Sequence, residues 1–572
     1  MKIIRNINQH IVNENSRIDE LLAVLNKKVS ENFGTGFAVV VNKIGLAVGV
    51  IQDSDLRRFL TRFPNTDIKI SKIMNTNFIS VKDDLNEHEI FENILVQLDS
   101  RGWYTNLPVK IIPMLSFGKP TGLVEIEEID LDFRFETSNF LVIGLGYVGL
   151  TIALALANSG KKVIGVDTNP NRINDLNNFT SYIFEPGIDS LLMNHLGRNL
   201  FIYSKIPLEN RDTAEKSIFF ICIGSPLNSK FEPELNDIWK CIEEISRLIK
   251  KDDVIVMRST VPVGFGRKII LFIESCYGWK VGLDFNYISA PERTVEGNAL
   301  KEIRDLPQIL AGATNTCHAI GLKIFNNLSS SITNLKSIEG AELVKLIGNA
   351  YRDYTFGFAN YFIEVCKFYE LDINEIINSS NRGYPRSTIP NPSPGVGGPC
   401  LSKDSYFINS DFIEHSPLIA ARTVNSKVPS NSVKFIKDKI PHLNLFRCLG
   451  IGLAFKGIPE TNDLRNSPSI DFLDSLLSHV SSIHVWDSSI KKDSAELKFL
   501  YDDMSTDINF FAILNNNQNN LIYFKNRVLT CQEKEIIVFD PWRLIVPNQV
   551  FDSKKIKTVN YFSLSHFEKF SF

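Results

Sequence analysis

The stretch GVGGPCLSKD, residues 395–404, sets three glycines and a proline around one cysteine, Cys400, and follows it with Lys403 and Asp404. A thiol acts as a nucleophile through its thiolate, and a neighbouring cation favours that form. Read from the sequence, Lys403 is that cation. The glycines are expected to leave backbone amides free and to let a substrate come close. Asp404 is too acidic to be a strong base unless buried; its expected task is to orient Lys345 or a water. The other cysteines stand in runs such as ICIG and RCLG and read as buried hydrophobes. Two further sets of residues carry potential chemistry. PERTVEG places Glu292 and Glu296 four apart, on one face if the segment is helical. GAELVKLIGNAYR puts Glu342, Lys345 and Asn349 on one helical stripe, with Leu343, Leu346, Ile347 and Ala350 expected toward the core. Lys345 and Asn349 would then point into a shared cleft. Each set alone reads by default as a solvated polar face, and only convergence on Cys400 gives it a chemical role.

Gly144-Leu-Gly146-Tyr147-Val148-Gly149 fits G-x-G-x-x-G between an apolar strand and a helix expected from about Tyr147. The first glycine permits the tight turn, the second the approach of a pyrophosphate, and the third close packing of helix on strand. Asp167 ends the next strand, 18 residues after Gly149, near the spacing at which an acid takes a ribose 2′-hydroxyl. A carboxylate there repels a 2′-phosphate, which favours NAD over NADP. Arg172 would face the adenine or a phosphate. Later strands end in Gly224-Ser225-Pro226, Ser259-Thr260 and Pro291-Glu292, small and polar residues suited to a crevice beyond the carboxyl ends of a parallel sheet.

The elements that must position these residues are legible as alternating patterns. NFLVIGL, KKVIGVD, SIFFICIGS, DVIVMRST, NYISAPE and PQILAG read as strands alternating with helices up to about residue 330, and a second such segment starts at RCLGIGLAFKG. The chain has 572 residues, enough for about four domains at roughly 150 each. A hydrophobic fraction of 44% and a charged fraction of 22% are those of a globular protein, and 62 basic against 65 acidic residues give no basic surplus for nucleic acid. One uncharged, largely apolar stretch, Phe140–Ala157, carries three glycines in six positions and reads as strand, turn and helix, so no membrane span is expected. The opening MKIIRNINQH has no apolar h-region, so no secretory signal is expected, and eight cysteines without a C-x-x-C pair fit a reducing cytoplasm better than a disulfide framework or a zinc site. No metal site is expected. The first 130 or so residues contain a weak repeat, NENSRIDELLAVL against VKDDLNEHEIFENIL. With GVIQDSDLRRFL and ISKIMNTNFISVKDD, this region resembles a CBS-domain pair. That resemblance implies a ribose-binding role for Asp55 and a possible adenine nucleotide ligand. Gln52, standing where ligand-binding copies carry Thr or Ser, favours a structural or dimerising module equally.

GLGYVGL, FEPGI, ICIGSP, STVP, APERTVEGNAL, AELVKLIGNAYRD, GVGGPCLSKD, ARTVN and GLAFKGIPETNDLRNSP occur in an order that resembles the nucleotide-sugar 6-dehydrogenases, over about residues 140–490. The resemblance implies an α/β fold: two Rossmann-like parallel-sheet domains joined by a helical middle domain and preceded by the α+β CBS pair. The corresponding boundaries are 1–131, 138–332, 333–435 with the catalytic cysteine, and 445–572 for the UDP-sugar domain. It implies a four-electron oxidation of a sugar C6 alcohol to the acid, using two NAD per turnover, with Cys400 as nucleophile. Lys345 and Asn349 would steady the oxyanion, Asp404 and Thr260 would hold the water, and Glu292 would be the acid or base. Tyr147, Val148, Glu296 and Arg465 fall to the cofactor site. Arg293, Arg386, Gly395, Gly397, Gly398 and Lys456 fall to the substrate, Arg386 across a subunit contact in a homo-oligomer. Phe265 departs from the family pattern after STVP. APER and Pro399 resemble the UDP-N-acetylhexosamine branch, with UDP-N-acetylmannosamine favoured and surface-polysaccharide precursors as the product class. The alternatives are UDP-glucose 6-dehydrogenase, a two-electron dehydrogenase (which needs no cysteine), and, more remotely, an inactive nucleotide-sugar or NAD sensor. A sensor predicts an eroded catalytic set, but Glu292, Lys345, Asn349, Cys400 and Asp404 are all present.

Overall fold

The structure, a computed structural model, describes residues 2–29, 36–62, 68–86, 111–125, 138–207, 215–408, 416–492, 498–551 and 556–572, with 89, 90, 93, 94 and 97. The chain falls into two units, built mainly on residues 1–135 and 136–572. The first contains β1 (Lys2–Ile4), β2 (Ile11–Asn13), α1 (Ile18–Leu25), β3 (Phe37–Val41), β4 (Ala47–Gln52), α2 (Asp53–Arg62), β5 (Val81–Lys82), β6 (Ile111–Ser116) and β7 (Lys119–Glu125). The suspected repeat is visible as topology. β2 runs parallel to β3, which turns back on β4; β5 runs parallel to β6, which turns back on β7. Phe37, Val39 and Val50 from one copy and Ile111 and Leu123 from the other share one apolar core. α1 buries Ile18, Leu21 and Leu25, spaced for one helical face. Asp55 accepts the Gln52 amide at 3.0 Å at the start of α2. Much of the second copy's helical stretch, and most of the joint at 130–139, lie outside the described residues.

The second unit opens with β8 (Asn139–Ile143), α3 (Tyr147–Asn158), β9 (Val163–Val166), β10 (Leu200–Tyr203), β11 (Ser217–Ile221), β12 (Asp253–Met257), α4 (Phe265–Tyr277), β13 (Phe285–Ser289), β14 (Gln308–Gly312) and β15 (Ile332–Asn334). They form one sheet in the order β10-β9-β8-β11-β12-β13-β14-β15. The inner strands are buried along their length, which is why they read as unbroken apolar runs. Two features depart from the sequence reading. β14 runs antiparallel to β13, and β10, formed by the run LFIY at one edge of the sheet, was not among the expected strands. β15 carries the sheet to Asn334, past the expected boundary at 332.

Two long helices come next, α5 (Ile338–Phe368) and α6 (Pro417–Lys439). Ser337 caps α5 by accepting the Gly340 amide at 3.1 Å. The helices meet at Gly357, where a Cβ would come within 3 Å of Ala421 side chain and backbone, so only glycine admits this approach. β16 (Arg447–Ile451), α7 (Pro468–Leu476), β17 (Ser482–Trp486), β18 (Leu500–Tyr501), β19 (Phe510–Ile513), β20 (Glu535–Phe539), β21 (Thr558–Phe562) and β22 (Phe567–Ser571) form the second sheet, in the order β18-β17-β16-β19-β20-β21-β22. It runs two strands past EIIVFDPW, where the sequence reading ended it. Among the described residues no helix is long and apolar enough to cross a membrane.

Candidate active site

β8 delivers the glycine turn. Gly144 has φ +87° and its amide donates to the Val166 carbonyl at 2.8 Å. A Cβ on Gly149 would collide with the Gly144 carbonyl, so α3 can start hard against the strand only with glycine there. The Cβ position of Gly146 has no heavy atom within 4 Å, which leaves an open cradle beside the N-terminus of α3. Asp167, at the end of β9, accepts the amides of Leu145 and Asn169, both at 2.8 Å. Arg172 lies 3.4 Å from Asp167 and stacks over the Tyr182 ring. The Tyr147 hydroxyl is occupied, pairing with Glu185 and accepting the Gly297 amide at 2.7 Å. Glu185, in the FEPGI run, also takes the amides of Gly297 and Leu300. Its linking role was not anticipated. An open crevice at the glycine turn, with the Asp167 carboxylate on the end of the next strand beside it, fits a dinucleotide.

That crevice continues into a cavity of about 1620 Å³, walled at one end by Gly144, Gly146, Tyr147, Val148, Asp167 and Arg172, in the middle by Gly224, Ser225, Pro226, Ser259 and Thr260, and at the other end by Glu292, Glu296, Lys345, Cys400 and Arg465. This is large against the roughly 300–1,000 Å³ of a single-ligand pocket and gives room for two ligands. Ser225 ties two strand ends together by donating to the Thr260 carbonyl at 2.6 Å. Cys400 is exposed on the cavity wall. Asn349 donates to Asp404 at 2.6 Å, one layer behind it. Asp404 is fully buried and pairs with Lys403 at 2.9 Å.

Several expectations are corrected by this geometry. Lys403 does not serve Cys400 first, because its ammonium is held by Asp404 and the Phe407 ring. Crowding by protein raises the Cys400 thiol above its ordinary range; Lys345 pulls it down more than Lys403, while Asp404 and Glu296 oppose them. The glycines do not open toward a ligand. Side chains added at Gly395, Gly397 and Gly398 would meet Pro468, Asn466 and Phe455, and the Gly398 amide donates to Asn466 at 3.1 Å. They allow residues 455–468 to pack against the cysteine loop, while Val396, Pro399 and Cys400 form the cavity wall.

Glu292 and Glu296 lie in an extended loop, not on a helix, and face different partners. Glu292 is buried against Arg258, a residue the sequence reading did not single out, and accepts the amides of Arg293 and Thr294 at 2.8 Å each. Burial would raise its carboxyl, but Arg258 and the Thr294 amide override this and hold it at about 2. In this arrangement Glu292 therefore stands ionised against Arg258. Arg293 turns away from the cavity, its guanidinium on the Pro307 carbonyl at 2.8 Å. Lys456 donates to the Glu296 backbone carbonyl at 2.6 Å, and Arg465 bridges Glu296 and Asp463. Arg386 is exposed, stacked on Tyr384, and absent from the cavity wall. Glu342 leaves its expected stripe-mates and accepts the amides of Gly264 at 2.6 Å and Gly266 at 2.9 Å, at the start of α4. Ile347 is exposed instead of facing the core. Phe265, the departure noted after STVP, packs edge-on against Trp239 inside the first sheet's core.

Residues 138–329 match the NAD binding domain of the UDP-glucose/GDP-mannose dehydrogenase family, and residues 339–427 match that family's central domain. The UDP-N-acetyl-D-mannosamine dehydrogenase of Pyrococcus horikoshii is 30% identical over 357 residues, 61% of this chain and 83% of that protein. The chain belongs to the UDP-glucose/GDP-mannose dehydrogenase family. It is an oxidoreductase of the nucleotide-sugar dehydrogenase kind. The Campylobacter jejuni protein named UDP-N-acetyl-D-mannosamine dehydrogenase is 32% identical over 364 residues, 61% of this chain and 86% of its own length. The solved UDP-D-ManNAc dehydrogenase of Pyrococcus horikoshii superposes with a TM-score of 0.63 at 26% identity, over 75% of this chain and 99% of that one. The matched family domains begin at residue 138, so the N-terminal unit lies outside them.

Proposed function

We propose that this dehydrogenase oxidises the C6 alcohol of a UDP-N-acetylhexosamine, UDP-N-acetylmannosamine first among them, to the uronic acid in two NAD-dependent steps joined by a covalent intermediate on Cys400. The observation that carries this is a single cavity in which the glycine cradle and the Cys400 side chain share a wall with Lys345. The named relatives point to the N-acetylmannosamine substrate.

NAD, when bound in the cradle, supplies the hydride acceptor for both oxidations. The alcohol loses a hydride and a proton to become an aldehyde. The Cys400 S–H adds across its C=O, forming a C–S bond and a thiohemiacetal. Loss of a second hydride and a proton leaves a thioester. Water cleaves the C–S bond, returning the thiol and releasing the carboxylate. Lys345 faces the developing oxyanion, and Asn349 keeps Asp404 in place behind it. Glu292 contributes negative charge, paired with Arg258.

NADH formed per sugar is the test, with UDP-N-acetylmannosamine, UDP-N-acetylglucosamine and UDP-glucose, and Cys400→Ser in parallel. Two NADH per sugar are expected with one substrate, and the Ser variant should lose acid formation by at least about 1,000-fold, on the scale of losing an essential catalytic group. One NADH from the parent, or a Ser variant as fast as the parent, removes the covalent mechanism.

The duplicated strand pattern of the first unit supports reading it as a CBS-like pair, with an adenine nucleotide as its candidate ligand. α5 also leaves Ile347, Tyr351, Tyr354, Phe358, Tyr361 and Phe362 exposed along one side, a stripe that supports assembly as a homo-oligomer.

A further inference from the structure

The run ARTVN takes part in no step above, yet its Arg422 is almost fully buried at the cavity wall. Arg422 sits on α6. One guanidinium nitrogen donates to Asp353 of α5 at 2.8 Å and the other to the Val396 carbonyl at 2.6 Å. Val396 lies four residues before Cys400. The fastening continues along the same helices. Asn425, one turn on from Arg422, donates to the Asp353 carboxylate at 2.8 Å and to its backbone carbonyl at 2.9 Å. It accepts from Asn360 at 2.8 Å, and Asn360 accepts the Ser393 amide at 2.9 Å. The lead-in to Cys400 is thus held at residues 393 and 396, each time by side chains of the two long helices.

The choice of an ion pair carries information. Two apolar side chains would pack these helices at least as stably, because a buried pair repays little beyond its own desolvation. Arginine supplies something else: a planar fork that reaches a carboxylate and a carbonyl at once, with little freedom in either. Glu342, Lys345, Asn349 and Asp353 also succeed one another at i, i+3, i+7 and i+11, a single stripe of α5. Of its two inner members, Lys345 lines the cavity with Cys400 and Asn349 holds Asp404 behind it. Its outer members fasten neighbouring loops, Glu342 the one that carries Thr260 and Asp353, through Arg422, the one that carries Cys400.

We propose that Arg422, oriented by Asp353, is a positioning residue that sets the Cys400 thiol at a fixed distance from Lys345 and Asn349. The inference rests on Cys400 being the nucleophile. Because the first oxidation needs no thiol, Arg422 acts on the second step, and its loss separates the two.

The test compares Arg422→Lys and Asp353→Asn with Cys400→Ser, in the full-length enzyme with NAD and UDP-N-acetylmannosamine, or whichever of the three sugars turns over. NADH per sugar is counted and the released sugar is identified by mass spectrometry as aldehyde or acid. Arg422→Lys should form acid about 10–100-fold more slowly, the cost of a displacement near 1 Å. It should release aldehyde, with the sugar KM within about 3-fold of the parent and unfolding at the parental temperature. Should Arg422→Lys fold poorly, Asp353→Asn, which keeps Arg422 and the side-chain volume, carries the test, with a loss of about tenfold in acid formation. Acid at the parental rate from these variants, while Cys400→Ser releases aldehyde, overturns the positioning role alone. A parallel fall of both oxidations with a raised sugar KM also overturns it, making Arg422 a wall of the substrate site. Acid from Cys400→Ser overturns the nucleophile itself.

Discussion

Residues 144–149, GLGYVG, and residues 452–457, GLAFKG, leave their two sheets through the same local geometry. Gly144 and Gly452 have φ of +87° and +91°, and their amides donate across to the neighbouring strand at 2.8 and 2.9 Å. Asp167 and Asp487, at the ends of those neighbouring strands, accept the next amide, Leu145 at 2.8 Å and Leu453 at 2.6 Å. The sheets share their strand order from β10 to β13 and from β18 to β21. The difference begins at the second position of the fingerprint. Gly146 leaves open space, whereas Ala454 is buried and gives its amide to Asp487. α3 then starts at once in the first sheet, while in the second the chain runs eleven residues from Gly457 to Pro468 before α7. Lys456, at the head of that segment, reaches the Glu296 carbonyl in the first sheet's loop. A strand, a left-handed glycine and a carboxylate define the exit from the sheet. The residues after that glycine decide whether the exit becomes a phosphate cradle or a bridge across the active site.

The largest effect that would test this division is Gly146→Val. With φ of −58°, Gly146 is not left-handed, and an added Cβ has no heavy atom within 4 Å, so a side chain there enters the space meant for the ligand. NAD affinity should fall at least about 100-fold, near 2.7 kcal/mol, without a change in thermal unfolding. Ala454→Gly, at the matching position, should leave NAD affinity unchanged and cost about 1 kcal/mol of stability. Equal losses of NAD affinity in the two variants would break the comparison. Lys456→Met gives a smaller test. It removes a charged hydrogen bond, so kcat/KM for the nucleotide sugar should drop about tenfold while NAD affinity holds. A variant that lost NAD affinity instead would move Lys456 from the bridge to the cradle.

The parts of the site legible in the sequence were those set by backbone or by local pattern. The inner strands announced themselves as apolar runs, and Gly144–Gly149 with Asp167 as a fingerprint. Cys400 stood out because no apolar run surrounded it. The features that escaped depend on partners far along the chain. Arg258 meets Glu292 from 34 positions away, and that meeting holds the buried carboxyl ionised. Helical periodicity placed Glu342 beside Lys345 but carries no signal that buried amides of Gly264 and Gly266 wait for it. The same stripe arithmetic sent Ile347 inward, because an exposed apolar face and a core face have identical spacing. The strand direction of β14 depends on the connection before it, not on its apolar content. The relation between GLGYVG and GLAFKG was available to direct comparison of the two stretches.

The finest test concerns how each sheet secures the loop after its fifth strand in order. In the second sheet Asp540, at the end of β20, does so from within, accepting the Ile545 amide and the Tyr561 hydroxyl, each at 3.0 Å. In the first sheet the carboxylate comes from outside, as Glu342 of α5, while the buried hydroxyl of Tyr287, the counterpart of Tyr561, finds no hydrogen-bond partner among the described residues. Burial pushes the Glu342 carboxyl from 4.5 up to about 7, against the pull of the Gly266 and Gly264 amides. Folding therefore takes up a proton at this group between those two values, and stability falls as pH rises through that window. Glutamine cannot titrate. Glu342→Gln should be less stable than the parent at pH 5, where the parent is protonated, and should recover on the order of 1–3 kcal/mol of that deficit by pH 8. Denaturant melts at the two pH values measure it. Since the fastened loop carries Thr260 into the cavity, the variant should also lower kcat slightly, whereas Asp540→Asn, securing a loop that stays within its own sheet, should change stability alone. A stability deficit in Glu342→Gln that does not vary with pH would mean that the Glu342 carboxylate is ionised throughout this range, in the folded as in the unfolded chain.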